Sequence, residues 1–424
     1  MDRSARPWAL YNNRQRTAFL SILFFVSALN NLDKTVITIV LEPIKREFGV
    51  SDTALGVLSG LSFALLYATL GIPVAWAADR GNRKTIIGLA LVIWSGMTVL
   101  CGMAQSFVQL VVARIGVGAG EAGGIPPAQS LIADYFPPDR RARAITVFSG
   151  SLVVGYLLGL TGGAQIAAHY GWRATMVAAG IPGLLLALIV YLKLDEPRLR
   201  LSLPDRHATR GAGMADLVGI ARTPSLALII AGITVYNAFS SGVFAFIPPY
   251  LMRILHVPLP QIGFYYGALS AAAALTGISL GGWLVGRLSI RDVRWQAWLC
   301  AAGLFVALPF FELGFLMPSY SAFLATVAVG MVALNVAYGV MYTSLHSVCG
   351  SGRRALAVAV SLFCSNLIGA GLGPVITGAL SDAFTASHGA IGLRYAMMVA
   401  ALWLAASGLL MLAAGRIMVR ELAD

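Results

Sequence analysis

The chain has 424 residues, of which 58% are hydrophobic and only 11% charged, with a formal net charge of +12. That balance excludes a water-soluble domain, in which about a quarter of residues are charged. It also excludes nucleic acid as the reason for the positive charge, because the basic residues sit in short connectors between apolar blocks.

The first sixteen residues are polar and rich in arginine. The apolar block that follows, 17–41, is too long for a signal-peptide core and lacks a small-residue cleavage site, so it reads as a spanning helix. Five more blocks long enough to cross about 30 Å of hydrocarbon fall at 53–77, 85–104, 107–135, 142–168 and 172–193. After a charged linker, 194–223, a second six fall at 224–252, 260–286, 295–317, 320–348, 355–382 and 392–417. With both termini cytoplasmic, about 23 of the 30 Lys and Arg lie on the cytoplasmic side and about five outside, which leaves only Lys34 and Arg114 in the membrane. Such an asymmetry is what the positive-inside rule requires. The expected division is a terminal segment 1–16, a bundle 17–193, a linker 194–223, a second bundle 224–418 and a tail 419–424. The four cysteines, Cys101, Cys300, Cys349 and Cys364, have neither metal-ligand spacing nor a disulfide framework, so packing is their expected role and no metal or cofactor is implied.

Sliding the chain against itself by about 207 positions lays Asn30 on Asn237, Gly56 on Gly263, Gly60 on Gly267, Trp76 on Trp283 and Arg80 on Arg287. A shift of about 213 to 214 lays "RRARA" on "RRALA", and Gly155 and Gly159 on Gly369 and Gly373. The chain is therefore a doubled one. Parallel six-helix halves joined by a linker resemble the major facilitator architecture, which places the substrate between two rocking halves near the bilayer midplane. The expected fold class is all-α integral membrane, with twelve transmembrane helices in two pseudo-symmetric bundles.

Charges inside this hydrocarbon are costly and are usually functional. The first span carries Asn30, Asp33 and Lys34, and the fourth, "RIGVGAGEAGGIPPAQ", carries Arg114 and Glu121 seven residues apart on one face. At 1.5 Å per residue, Asp33 lies about 13 Å and Arg114 about 11 Å below the outer end of its helix, so the two can meet. Glu121 follows about 10 Å further in. Asp33, Arg114 and Glu121 are the expected proton-coupling ion pairs, with the carboxylates making and breaking contact with Arg114. Lys34, turned about 100° from Asp33, is free for another partner or the substrate. A static cluster that serves packing alone is the alternative. Gly118, Gly120 and Gly123 spell a dinucleotide fingerprint, but it lies inside a span with no preceding strand. These small residues instead permit close helix packing, and with Pro126 and Pro127 they predict an interrupted helix.

The connector "AWAADRGNRKT" (75–85) resembles the major facilitator signature, with Asp79, Arg80, Arg83 and Lys84 on pattern, Ala75 at the first glycine and Asn82 at the second. Asn82 is expected to enter a left-handed turn in glycine's place, and Asp79 to latch the cytoplasmic gate by pairing with arginines. In the second half the shift lays Asp33 and Lys34 on Ser240 and Ser241, so no charge is repeated. Tyr236, Asn237, Phe239 and Ser240 in the seventh span, Asn335, Tyr338 and Tyr342 in the tenth, and Phe363 and Asn366 in the eleventh are the expected aromatic and amide wall. With Asn30 and Lys34 opposite, the site suits an amphipathic molecule with an ionic head.

The strings "NNLDKTVITIVLEPIKREF", "ADRGNRKT", "RIGVGAGEAGGIPPAQSLIADYFPPDRRARA" and "GWRATMVAAGIPGLLLAL" together resemble the spinster-like branch of the major facilitator superfamily, and its bacterial members in particular. The resemblance is strong over residues 17–200 and general beyond them. It implies the acid-plus-base pair at Asp33 and Lys34, the fourth-helix Arg114 and Glu121, and a cytoplasmic basic cluster that includes Arg141. It also implies a lipid-like anionic or zwitterionic cargo, a lysophospholipid or sphingosine-phosphate-like molecule, moved by alternating access with proton coupling. Location in a bacterial inner membrane and a monomeric state complete the expectation. A carrier of small organic anions or hydrophobic drugs is the alternative. A lipid-modifying enzyme is remote, since His169, His207, His256 and His388 fall in loops or at span ends and only His346 remains. A transport-dead receptor is a further alternative.

Overall fold

The computed structural model describes residues 7–201, 219–220, 223–349 and 354–423. Most of the expected linker, with His207, lies outside them, as do residues 1–6. Among the described residues every regular element is helical. The first half holds α1 (Asn13–Phe48), α2 (Asp52–Gly56), a π turn Val57–Leu61, α3 (Ser62–Arg80), α4 (Arg83–Met103), α5 (Phe107–Glu121), α6 (Ile125–Tyr135), α7 (Pro138–Lys193) and α8 (Pro197–Leu201). The second holds α9 (Pro224–Arg253), a short turn and π segment to Tyr266, α10 (Gly267–Leu288), α11 (Trp295–Leu316), α12 (Tyr320–Val348), α13 (Arg354–Cys364) and a π segment Ser365–Ala370. It ends with α14 (Gly371–His388), α15 (Gly392–Ala401) and α16 (Trp403–Ala423).

Nine stretches among the described residues are long and apolar enough to cross a membrane. Two of these, Pro138–Arg200 and Leu356–Val419, run to 63 and 64 residues, twice what one crossing needs. The first is broken at Gly171, whose φ of 82° departs from the helix, and the second at Gly389, with φ 60°. A further crossing escapes the criterion because the helix of residues 107–135 is itself interrupted. The helices thus accommodate twelve crossings. Their starts follow ordinary capping chemistry: Ser106 accepts from the Gln109 N–H, Ser319 from that of Ala322, and Pro138 and Pro224 open helices that need no first donor.

Two compact units result, Met1–Ile44 with Ser62–Arg210, and Lys45–Leu61 with Gly211–Asp424. Each is seamed by glycine. In the first unit a Cβ on Gly155 would stand 2.1 Å from the Ala28 carbonyl oxygen, and one on Gly118 2.2 Å from that of Phe63. In the second unit a Cβ on Gly373 would stand 2.3 Å from the Ala238 carbonyl and one on Gly369 2.7 Å from that of Thr234. Without a strong hydrophobic drive between helices in lipid, such backbone approach supplies the dispersion contact that holds them. Cys101, Cys300 and Cys349 are buried and form no disulfide among the described residues.

Candidate functional site

The charges of the first and fourth crossings meet inside the first unit, in two pairs. Asp33 of α1 is buried; its Oδ2 accepts from Arg114 Nη1 at 2.9 Å and its Oδ1 from the Thr98 hydroxyl of α4 at 2.5 Å. Arg114 is also buried, with its guanidinium 5.7 Å from the Phe63 ring. Depth arithmetic brought these partners to one level, and the structure joins them.

Glu121 behaves otherwise. Its Oε2 accepts from Asn30 Nδ2 at 2.9 Å and pairs with Lys34 Nζ at 3.1 Å, and Lys34 also donates to Asn30 Oδ1 at 3.0 Å. The expected Glu121–Arg114 contact gives way to this one. Arg114 lies two turns back on the same helix and is turned onto Asp33, whereas the lysine stem is long enough to reach Glu121 from α1. Asn30 and Lys34, four residues apart, share one face of α1. The Glu121 side chain is fully covered, whereas that of Lys34 is 32% exposed. Lys34 therefore links a buried acid to open space, its ammonium 4.8 Å from the Tyr67 ring and 5.4 Å from that of Phe63. Glu121 is the last residue of α5; the chain turns over Ala122–Gly124 and restarts at Ile125 with Pro126 and Pro127 in its first turn. The interrupted helix read from the Gly-Pro pattern is present, and the acid sits at the break. Its Oε1 is buried with no hydrogen-bond partner among the described residues.

In the second unit, Tyr236 is buried and stacks on Tyr338 at 5.9 Å, and Tyr342 meets Tyr338 edge-on at 6.5 Å. Tyr338 and Phe363 keep an open face. Phe239 does not belong to such a wall: it is fully buried with its ring 5.2 Å from that of Phe311, because its position on α9 points to α11. Asn237, Asn335 and Asn366 each donate to the carbonyl four residues back, of Ile233, Met331 and Leu362. Ser240 is half-buried within hydrogen-bonding reach of Tyr236.

At the connector after α3, Arg83 is fully buried and saturated. Its backbone N–H and Nε donate to Glu196 Oε2 at 2.9 and 3.1 Å, Nη1 to Ser130 at 2.9 Å, and Nη2 lies 2.7 Å from Asp134. One arginine thus ties the start of α4 to α6 and to the chain leaving α7. The side chain of Asp79 lies outside the described residues. Arg80 stacks on Trp76 at 3.8 Å, Lys84 lies 5.5 Å from the Tyr191 ring, and Arg141 6.0 Å from that of Trp8. Asn82 does not enter a left-handed turn: at φ −81° and ψ 102° it is extended, and its side chain caps α4 by accepting from the Thr85 N–H. A helix start rewards the asparagine as a cap, so the left-handed conformation is not needed.

The Major Facilitator Superfamily profile matches residues 23–374. An MFS-type efflux pump of Mycolicibacterium smegmatis is 32% identical over 391 residues, covering 91% of this chain and 89% of that protein. Protein spinster homolog 1 of Xenopus tropicalis is 28% identical over 388 residues, covering 87% and 73%. The crystal structure of a bacterial homolog to the human lysosomal transporter Spinster, inward-facing and unoccupied, superposes with a TM-score of 0.88 at 32% identity, covering 97% of this chain and 99% of that one.

The chain belongs to the major facilitator superfamily. It is a spinster-like, multi-pass membrane transporter.

One charged cluster of this transporter was not foreseen. Asp52, the first residue of α2 and 1% exposed, accepts from Arg253 Nη1 and Nη2 at 2.7 and 2.8 Å, from Lys45 Nζ at 2.6 Å and from Ser381 Oγ at 2.6 Å. Asp382 completes the cluster by accepting from the backbone N–H groups of Asp52 and Thr53 at 2.9 and 2.8 Å. All these residues lie in the second unit, to which residues 45–61 contribute. In the sequence, "SDTALG" reads as an ordinary helix start, with Ser51 as its cap. Apart from Lys45, seven residues back, the side-chain partners of Asp52 lie 201 and 329 positions away, and no local pattern marks them.

Proposed function

We propose that this transporter is a proton-coupled, alternating-access carrier of an amphipathic anionic or zwitterionic lipid-like substrate of the lysophospholipid or sphingosine-phosphate kind. The observation that carries the reading is the Lys34–Glu121 pair: a fully covered carboxylate held by a lysine that is one-third exposed. A proton on Glu121 removes the charge that holds Lys34, and the ammonium is then free for an anionic head. Protonation and anion binding therefore favour one another, and by linkage each strengthens the other equally. Asp33 and Arg114, both covered and matched to one another, hold α1 against α5 and tune that exchange. Charge asymmetry along the chain supports cytoplasmic termini, and the likeness to a bacterial spinster homolog supports a bacterial inner membrane.

The M. smegmatis efflux pump, similar along nearly the whole chain, supports export as the direction, and a carrier of small organic anions or hydrophobic drugs is the second reading. Purified carrier in liposomes under an imposed proton gradient separates the two. Gradient-dependent accumulation of a lysophospholipid, with small organic anions left behind, is the expected result. Accumulation of the small anions alone would replace the first reading with the second.

A further inference from the structure

Helices α1, α4 and α7 leave an open cavity of about 730 Å3 within the first unit, at the ends of their crossings on the side where the chain enters α1. That volume is in the range of sites for small ligands. Its rim carries three cations, Lys84 at the start of α4, Lys193 at the end of α7 and Arg200 of α8, against one acid, Asp195. The acid is already engaged. Its Oδ2 accepts from the Tyr11 hydroxyl and lies beside Arg200 Nε, both at 2.9 Å, and its Oδ1 accepts from the Glu196 N–H at 3.1 Å.

Glu196 and Asp134, the next acids, are both taken by Arg83. Burial, and then the hydrogen bond to Asp195, push the Tyr11 phenol above its ordinary range, so it stays neutral and adds no negative charge. Lys84 and Lys193 are left without a carboxylate partner among the described residues; Lys84 has only the Tyr191 ring, 5.5 Å away.

Toward the membrane interior the lining turns mostly apolar, with Ala18, Phe19 and Ile22 beside Ser21 on α1 and Leu192 on α7. Leu188 and Leu185, 57% and 61% exposed, carry the same face one and two turns down α7. Two ammonium groups with no carboxylate partner among the described residues stand above, and an apolar track runs below. A soluble phosphate would gain from the first and nothing from the second. A zwitterionic lipid would bring its own cation against Lys84 and Lys193.

We infer that this cavity binds the headgroup of an anionic phospholipid of the surrounding bilayer, its phosphate against Lys84 and Lys193 and its acyl chains along α1 and α7. Basic pockets between crossings at a membrane surface recognise lipid headgroups in this way, with each cation contributing to retention.

Native mass spectrometry of the full-length protein, with phosphatidylglycerol and phosphatidylcholine supplied in equal amounts, tests the site. The wild type should retain one phosphatidylglycerol in preference to phosphatidylcholine. Lys84→Gln with Lys193→Gln should reduce that retention by about tenfold or more, while Lys84→Arg with Lys193→Arg should keep it, which separates loss of charge from loss of fold. Equal phosphatidylglycerol retention by the glutamine variant, or equal retention of both lipids by the wild type, would overturn the assignment. So would displacement of the bound lipid by an excess of glycerol 3-phosphate, which would make the cavity a site for a soluble anion.

Discussion

In the first unit Gly155 lets α7 approach the backbone of α1 at Ala28, and in the second its repeat counterpart Gly369 lets the π segment before α14 approach α9 at Thr234, an added Cβ standing 2.1 and 2.7 Å from the respective carbonyl oxygens. Beside the first contact stand Asp33 and Lys34, bonded to Thr98, Arg114, Asn30 and Glu121. Beside the second stand Ser240 and Ser241, and the Ser241 hydroxyl donates to the Asn237 carbonyl at 2.7 Å. A repeat conserves what backbone packing demands, while the polar groups placed on it are free to diverge. The first unit thus carries buried ion pairs between its first and fourth crossings, whereas the second, at the positions matching Asp33 and Lys34, has hydroxyls, that of Ser241 donating to Asn237 of its own helix and lying 3.3 Å from the Gly369 carbonyl.

The sharpest way to break this comparison is to remove one charge. Arg114→Ala leaves Asp33 buried with only the Thr98 hydroxyl, and a stranded buried charge costs about 3–5 kcal/mol. Thermal unfolding in detergent should register that loss, and an unchanged midpoint would mean that the pair is not buried in the working protein. Next in size are the seams: Gly155→Val and Gly369→Val should each cost about 1–3 kcal/mol, because both force a side chain into a carbonyl. A large difference between them would show that the halves are not packed alike. Smallest is Ser241→Ala, which removes a neutral hydrogen bond worth about 1 kcal/mol or less. Transport should survive it, and a transport-dead Ser241→Ala would put chemistry in the second unit after all.

How far the sequence reaches differs between these features, for physical reasons. The rise of a helix is fixed, so counting residues gave depth, and depth was enough to pair Asp33 with Arg114. It does not give azimuth or side-chain reach, which is why Glu121 was matched with Arg114 rather than with Lys34. The Gly-Pro pattern of "EAGGIPP" foretold the break after Glu121, because proline and glycine act on the backbone locally. Apolar counting set the first crossing at 17–41, yet α1 runs from Asn13 to Phe48, since a helix continues past the hydrocarbon wherever its hydrogen bonds allow. Thr98 carried no signal, being one hydroxyl in an apolar helix. Asp52 was invisible for a different reason: folding alone brings Arg253, Ser381 and Asp382 to it.

The central claim is that the proton is exchanged at Glu121 and acts through Lys34. Glu121→Gln keeps the size and the acceptor for Lys34 and Asn30 while removing the titrating charge. Uptake into proteoliposomes with and without a pH gradient, run beside substrate exchange at equal pH, tests it directly. The account predicts that this variant exchanges substrate but no longer accumulates it against the gradient; full gradient-driven accumulation by Glu121→Gln would contradict it.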